Sequence, residues 1–399
     1  MPAAVASTQA DALPSVCFVG LMNLPVLARE YAHHGVGGMQ VQQTLLARQL
    51  VKRGFDVSMV VMDLGQPDGA SWDGITTWRT FSPKTGIPVL RYIHPRWTGI
   101  WSALKRADAD IYYVSGVGMM LGLVTMFARR YGRKVVYRLA STSDCHPDTI
   151  QVEYWRDRKL YAYGLKRADL VLSQTHEQQR LLVKNYHRES VVIPSLVSPP
   201  GRCDTFGARD IDVLWVGALR TLKRPRLLLD LARRLPHLKF VMAGGPYPDP
   251  PTLFEEVKRE ARKLPNVRFL GHVPFHDIGS LFERARLLAG TSEIEGVPNT
   301  YLQAWSHGTP VVAYLDPEHL IARNDLGSVV SSQDEMADAI SQLLGDADSW
   351  TKVSIRSREF AVTHADENAR VQLYIDALRR LDADSGVSLR HTEEAVERS

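Results

Sequence analysis

Short hydrophobic runs alternate along the first half of the chain with longer segments in which apolar residues recur every three or four positions. The runs predict strands at 16–20, 56–62, 111–114, 135–139, 170–173 and 191–193. The intervening segments, such as 41–53 and 178–186, have the amphipathic spacing of helices. Strands that alternate with helices predict a parallel sheet with helices on both faces.

The second half repeats this pattern. It predicts a helix at 225–235, a mostly helical tail at 333–382, and strands at 212–217, 240–243, 267–270, 287–289, 311–314 and 326–330. Between the halves, the segment around Pro199, Pro200 and Gly201 lacks periodicity and is interpreted as a linker. We predict an α/β protein with Rossmann-like domains at 1–195 and 212–360, a linker at 196–211, and a disordered polar tail at 384–399.

Composition and charge narrow the classes of function. The 399 residues include 48 Lys and Arg and 44 Asp and Glu, a net charge of +4. This mild balance, without an arginine-rich tract, does not favour a nucleic-acid partner. Three cysteines without metal-ligand spacing fit a reducing cytoplasm. Residues 1–15 lack the pattern of a signal peptide, and the apolar run 114–128 is short for a membrane span, so we expect a cytoplasmic protein.

Basic residues cluster at 129–134 and 156–167. Such clusters are typical of solvated helix faces, and they also suit anionic lipid headgroups or a pyrophosphate-linked acceptor. The sequence therefore leaves open a peripheral contact with an anionic membrane.

Residues 295–313 predict a loop, a short helix and a strand in close succession. Asn299 is the expected N-cap, Gly308 the C-terminal glycine, and Pro310 follows where a helix cannot continue. The free amides near Asn299 and Thr300, with the positive end of the helix dipole, favour a phosphate group.

Two polar side chains flank this anion site. Glu295 precedes the helix, and Gln303 lies about one turn inside it, on a side chain that leans back toward the N-terminus. A ligand that combines phosphates, a sugar and a ribose would use all of these groups.

The segment resembles the signature of family 4 glycosyltransferases, retaining enzymes of the GT-B architecture. The family has Glu, seven residues, a second Glu, and then Ala-x-x-x-Gly-x-Pro-Val-Val. Here Glu295, Gln303 and residues 304–312 stand in register. The resemblance implies that Glu295 contacts the donor sugar and that Gln303 holds the ribose. Gln303 can still form a hydrogen bond with a ribose hydroxyl, although it carries no charge.

Two further candidate sites lie in the first domain, each after one of its predicted strands; at the second site, where many family members have a His, this chain does not have one at the expected place. Gly37 and Gly38 lie between the first strand and the first helix, where the resemblance implies contact with the donor phosphates. Asp144 follows the predicted strand 135–139 and is a candidate for orienting a sugar hydroxyl or the acceptor nucleophile. An N-cap or turn role for this aspartate stays open.

A third site follows the strand that opens the second domain. Gly217 ends this strand, and Arg220 and Lys223 lie just beyond it, at the edge where open α/β sheets bind ligands. The resemblance implies that these cations stabilise the leaving diphosphate. The family usually has Arg directly after the glycine, where this chain has Ala218, so Arg220 would have to take that role.

The resemblance implies a retaining glycosyltransferase that takes its sugar from a nucleoside-diphosphate sugar. The expected acceptor is a saccharide or lipid-linked intermediate of bacterial surface polysaccharide or glycolipid synthesis. It also implies two domains around a central cleft and a C-terminal helix at 361–383 that packs back on the first domain. Asp-x-Asp at 108–110, 346–348 and 382–384 does not follow a central strand, so we expect no essential metal and no other cofactor.

Three alternatives remain at this point. The glycines Gly116, Gly118 and Gly122 resemble a variant dinucleotide fingerprint, which is the basis of an NAD(P)-dependent oxidoreductase hypothesis. This unit comes late in its domain, and the next strand ends near Arg138 rather than at an acidic residue. A nucleotide-sugar epimerase on the same fold is the second alternative. A catalytically silent sugar-nucleotide binding protein is the third, because of Gln303 and Ala218.

Overall fold

The computed structural model describes residues 13–83, 85, 92–148, 150–197, 201–247, 252–364 and 368–381. Within these residues the strands are β1 (Val16–Val19), β2 (Val57–Val61), β3 (Ser71–Trp72), β4 (Ile75–Arg79), β5 (Ile111–Ser115), β6 (Lys134–Arg138), β7 (Leu170–Ser173), β8 (Val191–Val192), β9 (Ile211–Val216), β10 (Phe240–Ala243), β11 (Val267–Gly271), β12 (Ala285–Gly290), β13 (Val311–Ala313) and β14 (Gly327–Val329).

The helices in the described part of the chain are α1 (Leu24–Leu27), α2 (Gly38–Lys52), α3 (Thr98–Ala107), α4 (Met119–Tyr131), α5 (Trp155–Arg167), α6 (His176–Tyr186), α7 (Pro225–Arg234), α8 (Leu253–Ala261), α9 (Phe275–Arg284), α10 (Asn299–Ser306), α11 (Leu320–Asn324), α12 (Gln333–Gly345), α13 (Ala347–His364) and α14 (368–381). None of these helices combines the length and the hydropathy that crossing a bilayer requires.

Two sheets organise the chain. The first has the strand order β3-β4-β2-β1-β5-β6-β7-β8, and its only antiparallel pairing among the described residues joins β3 to β4. The second has the order β11-β10-β9-β12-β13-β14 and is parallel throughout its described pairings. The order reverses direction between β1 and β5 and between β9 and β12, and such switch points are where open α/β sheets bind ligands.

Both sheets are buried between helices, as their nearly continuous apolar strands require. All four residues of β1 are buried, as are those of β10 and β13. The α/β class with two domains, predicted from the alternation of strands and helices, is confirmed by this architecture.

The chain passes from the first core to the second between neighbouring residues. Leu196 packs in the core of the first domain, whereas Val197 packs in that of the second. The second core includes Phe360 of α13, and α14 then contributes Val371 and Tyr374 to the first core. The C-terminal helix therefore lies on the first domain.

Several elements differ from the sequence-based expectations. The hairpin of β3 and β4 was not predicted, because an edge strand with Asp73 and Gly74 at its turn shows little hydrophobic periodicity. Strand β9 begins at Ile211, inside the predicted linker. The predicted tail at 384–399 lies outside the described residues.

Candidate active site

The loops at the carboxyl ends of the two sheets meet each other. The side chain of Asn299 donates to the carbonyl of Gly38 (2.8 Å). The amide of Thr142 donates to the carbonyl of Glu295 (3.3 Å). Two candidate regions that are far apart in sequence, the glycine loop and the start of α10, therefore line the same cleft.

Lys223 and Glu295 form an ion pair within the second domain. Lys223 ends the 3₁₀ turn Thr221–Lys223 that follows β9, and Glu295 lies in the loop after β12. Strands β9 and β12 are hydrogen-bonded neighbours, so their loops run side by side, and the Nζ of Lys223 donates to Oε1 of Glu295. The two side chains are 25% and 17% exposed, which leaves both accessible from the cleft.

Thr291 fixes the loop that carries Lys223. This buried hydroxyl donates to the carbonyl of Lys223 (2.6 Å) and accepts from the indole of Trp215 (2.8 Å). Arg224 then donates through Nε to the carbonyl of Thr291 (2.7 Å). Sequence reasoning missed Thr291 and Arg224, although a polar residue directly after a central strand is a usable signal.

Arg220 reaches across the cleft to the first domain. Its guanidinium donates to Oε1 of Gln151 (2.5 Å) and lies 4.4 Å from the ring centroid of Tyr247. Its Nε is buried and has no hydrogen-bond partner among the described residues. The 3₁₀ turn Thr221–Lys223 thus has a cation at each end, because Arg220 directly precedes it and Lys223 is its last residue.

Gly217 lies beneath these cations. A Cβ atom there would be 3.4 Å from the ring of Trp215 and 3.7 Å from Cδ of Lys223. A side chain at this position would therefore fill the space between β9 and the stem of Lys223.

Asn299 is not the N-cap of α10, so that prediction is wrong. The cap is Pro298, and the helix begins at Asn299. The side chain of Asn299 is instead held by the first domain, because its Oδ1 accepts from Nε2 of Gln42 (3.0 Å) while its Nδ2 donates to Gly38. Within the described residues the backbone amides of Asn299 and Thr300 form no hydrogen bond. The start of α10 thus retains free donors.

The glycine loop is organised by a glutamine. The amide of Gly37 donates to Oε1 of Gln40 (3.0 Å), which caps α2. Gly38 is the first residue of α2, and a Cβ atom there would lie 2.3 Å from Nδ2 of Asn299. Glycine at position 38 therefore permits the close approach of the two domains.

Thr300 and Gln303 are half-buried on α10. The carbonyl of Gln303 is 2.8 Å from Nδ1 of His307. In the part of the chain that the structure describes, the Gln303 amide group and the Thr300 hydroxyl have no hydrogen-bond partner. Both polar groups are thus available to a ligand at this end of the helix.

Asp144 does not face the cleft. It is 3% exposed, and its Oδ2 accepts from the amides of Ala140 (2.8 Å) and Ser141 (3.1 Å). Burial raises the pKa of Asp144 to about 6. The alternative role of Asp144 as a turn residue fits this geometry, because both hydrogen bonds close the loop after β6. We therefore do not include Asp144 among the residues that would contact the donor sugar.

Gln174 is a cleft residue that sequence reasoning missed. Its Oε1 accepts from the amide of Val297 (3.2 Å), and its Nε2 donates to the carbonyl of Leu139 (2.8 Å). A buried amide of the first domain therefore holds the loop that carries Glu295. Gln174 directly follows β7 at the carboxyl edge of the sheet, and this position could have identified it as a cleft residue from the sequence.

Some of the residues that could indicate a metal site or a dinucleotide site are engaged in contacts within the first domain. Asp108 and Asp110 both pair with Arg133, at 2.7 and 3.0 Å. Among the described residues no group of three His, Cys, Asp or Glu side chains is arranged to hold a metal ion. Gly122, from the possible dinucleotide fingerprint, lies against α5, where a Cβ atom would be 2.4 Å from the carbonyl oxygen of Leu160.

Comparison with protein families identifies both halves of the chain. Residues 37–196 match the "Glycosyl transferase 4-like domain", and residues 210–346 match "Glycosyl transferases group 1". The first matched segment contains Gly37 and Gly38 and every strand of the first sheet except β1, and the second contains Lys223, Glu295 and every strand of the second sheet.

Curated relatives include D-inositol 3-phosphate glycosyltransferases. The protein of Corynebacterium diphtheriae is 24% identical over 376 residues, which are 82% of this chain and 86% of that protein. The protein of Corynebacterium urealyticum is 31% identical over 192 residues, which are 44% of this chain and 45% of that protein. The chain thus aligns with less than half the length of the latter.

Solved structures share the fold. Sucrose-phosphate synthase from Thermosynechococcus elongatus has a TM-score of 0.73 at 18% identity, covering 93% of this chain and 100% of that chain. Anabaena HepE, in complex with UDP and glucose, has a TM-score of 0.69 at 15% identity, covering 92% and 100%. With its two halves matched by the two glycosyl transferase domains and its fold shared with these structures, the chain belongs to the group 1 glycosyltransferases of the GT-B fold.

Proposed function

We propose that the protein is a retaining, metal-independent glycosyltransferase that moves a sugar from a nucleoside-diphosphate sugar to a saccharide or lipid-linked acceptor. The observation that carries the proposal is the Lys223–Glu295 pair, which joins a cation to a carboxylate on the loop that leads to the free amides of α10. A nucleoside-diphosphate sugar has a diphosphate that suits the cation and the amides, and sugar hydroxyl groups that suit the carboxylate.

The donor diphosphate would bind at the start of α10. The amides of Asn299 and Thr300 can donate to phosphate oxygens, and the helix dipole favours negative charge there. Lys223 and Arg220 supply positive charge from the adjacent loop. The Anabaena HepE structures in complex with UDP and with UDP-glucose support a nucleotide-sugar donor.

Catalysis would come mainly from stabilising the leaving diphosphate. Positive groups that are already in place stabilise charge as it develops, without reorganisation. Glu295 would accept hydrogen bonds from sugar hydroxyls and so position the anomeric carbon. Gln303 would hold the ribose. Retention would follow from attack on the same face, assisted by the leaving phosphate, so no protein nucleophile is assigned.

The first domain would bind the acceptor, which meets the donor in the cleft between the sheets. Two relatives are named D-inositol 3-phosphate glycosyltransferases, and these names support phosphorylated polyols as candidate acceptors. We propose a cytoplasmic site of action, with acceptors drawn from surface polysaccharide or glycolipid synthesis. Closure of the cleft through contacts such as Asn299 to Gly38 would exclude water from the reaction.

A thermal-shift screen tests the donor first, because a ligand that binds the folded state raises the melting temperature. The panel comprises UDP, GDP, ADP, their common sugar conjugates and NAD(P). We expect stabilisation by one nucleoside diphosphate and its conjugates. Stabilisation by NAD(P) alone would contradict the proposal and support an oxidoreductase.

Glu295→Ala tests the site itself. We expect sugar transfer to be lost while the fold is retained, because the hydroxyl contacts disappear. Glu293→Ala is the matched control, since this exposed carboxylate lies two residues away. Turnover of the donor sugar into its epimer without an acceptor would favour the epimerase, and donor binding without any turnover would favour the silent binding protein.

A further inference from the structure

One face of the first domain exposes large apolar side chains beside cations. Trp155 is 70% exposed, Ile93 is 62% exposed and Tyr154 is 50% exposed. Arg156 joins the two segments that carry them, because its guanidinium lies 3.7 Å from the ring centroid of Tyr92 and 4.9 Å from that of Tyr154. Single exposed hydrophobic residues are ordinary, whereas a group of them marks an interaction surface.

Helix α5 extends this group with positive charge. Its exposed residues recur at helical spacing along one side: Trp155, Arg158, Lys159, Ala162, Lys166 and Arg167. The only carboxylate of α5 is Asp157, which is 17% exposed and pairs with Arg156 at 3.2 Å. We call the surface formed by Ile93, Tyr154 and the exposed residues of α5 the aromatic–basic face.

The aromatic–basic face borders the mouth of the cleft. Gln151, which accepts from Arg220 at 2.5 Å, lies three residues before Tyr154. The exposed carboxylate of Glu153 stands between them, so the aromatic end of the face is less positive than the remainder of α5. A partner that binds here would lie next to the candidate site in the second domain.

We propose that the aromatic–basic face docks on an anionic lipid bilayer. Tyrosine and tryptophan favour the membrane interface, and lysine and arginine are attracted to anionic headgroups. Charge complementarity selects this partner over a second copy of the chain, because two such faces would bring like charges together. The further step, that a lipid-linked acceptor enters the cleft from this surface, rests on the proposed function, whereas docking itself does not.

Co-sedimentation of the full chain with vesicles tests the docking. The vesicles contain phosphatidylcholine with increasing fractions of phosphatidylglycerol, and no donor or acceptor is added. We expect binding to rise with the anionic fraction and to fall with salt. The double variant Lys159→Glu/Lys166→Glu should bind at least about 30-fold more weakly, at about 1 kcal/mol for each cation removed.

Matched variants on α13 control for general effects of charge and hydrophobicity. Trp155→Ala should also weaken binding, whereas Ile355→Ala, at a side chain 51% exposed on another surface, should bind like the wild type. Lys352→Glu is the corresponding control for charge reversal on that helix. Thermal unfolding of each variant establishes that it is folded.

Absence of wild-type binding to anionic vesicles would overturn the proposal, as would equal binding by the α5 variants. The proposal would also be overturned if the wild type did not bind vesicles but self-associated, and if Trp155→Ala abolished that self-association. The partner of the face would then be a second copy of the chain. Glu295→Ala separates this test from that of the proposed function. We expect that variant to lose transfer and to keep vesicle binding, so either conclusion can fail without the other.

Discussion

Lys223 and Glu295 lie on the loops after two neighbouring strands, and each is the ion-pair partner of the other. The proposed function assigns them to different parts of the donor, the diphosphate and the sugar. A bound donor would therefore take over both members of the pair, with phosphate oxygens on the ammonium and hydroxyl groups on the carboxylate.

Lys223→Ala should lower kcat about 100- to 1000-fold, the usual cost of removing one donor that stabilises developing charge. Donor affinity should fall less, because the contact strengthens as the diphosphate leaves. Steady-state kinetics with the nucleotide sugar identified by thermal shift provide the measurement. Lys263→Ala, which removes an exposed partner of Glu260, is the control. A normal kcat in Lys223→Ala would contradict this role.

Gly38→Ala should reduce transfer about 10- to 100-fold without unfolding the protein. A Cβ atom at position 38 would lie 2.3 Å from Nδ2 of Asn299, so the Asn299 side chain would have to move and its hydrogen bonds to Gly38 and Gln42 would be disrupted. Gly35→Ala is a close control, because a Cβ there meets no atom within 4 Å. Equal activities of the two variants would show that the close approach is unimportant.

Gln174→Ala should lower the free energy of unfolding by about 1–3 kcal/mol, because it leaves buried hydrogen-bonding groups without partners. It should also impair transfer, since Gln174 holds the amide of Val297 beside Glu295. Gln179→Ala removes a comparable hydrogen bond within the first domain, from Nε2 to the carbonyl of Ser190 (2.7 Å). Chemical denaturation and kinetics on both variants separate the effects. If both variants were impaired in transfer in proportion to their lost stability, the result would argue against a positioning role for Gln174.

Asp144→Asn should change how stability depends on pH. Burial raises the pKa of Asp144 to about 6, so the folded protein keeps this proton to a higher pH than the unfolded chain does. Its contribution is fully present below about pH 4 and is lost as pH rises through about 6, by roughly 3 kcal/mol. The wild type should therefore lose stability relative to Asp144→Asn over this range in chemical denaturation. Asp148→Asn, at an exposed carboxylate nearby, is the control, and parallel curves for wild type and Asp144→Asn would contradict the assignment.

Local sequence patterns were sufficient for most central elements. Strands β7 and β10 have the predicted ends, and the glycine that ends α10, Gly308, has the positive φ of +63° expected of a C-terminal glycine. These features depend on hydrophobic spacing and on backbone preferences, which act over a few residues. The edge strand β3 and its partner β4 were missed because only Ile75 and Thr77 of their residues are buried.

Patterns in the sequence were enough to establish the α/β class, the two-domain organisation and the edge of each sheet on which the candidate residues lie. The folded structure was needed to establish what the side chains of these residues contact. Asn299 contacts Gly38 rather than capping its helix, Asp144 turns into its own loop, and Gln174 holds the loop of Glu295. Periodicity fixes the position of a residue along a strand or helix but not the course of a loop, on which the contacts of Asp144 depend. The contacts of Asn299 and Gln174 join residues more than a hundred positions apart and depend on how the two domains pack against each other.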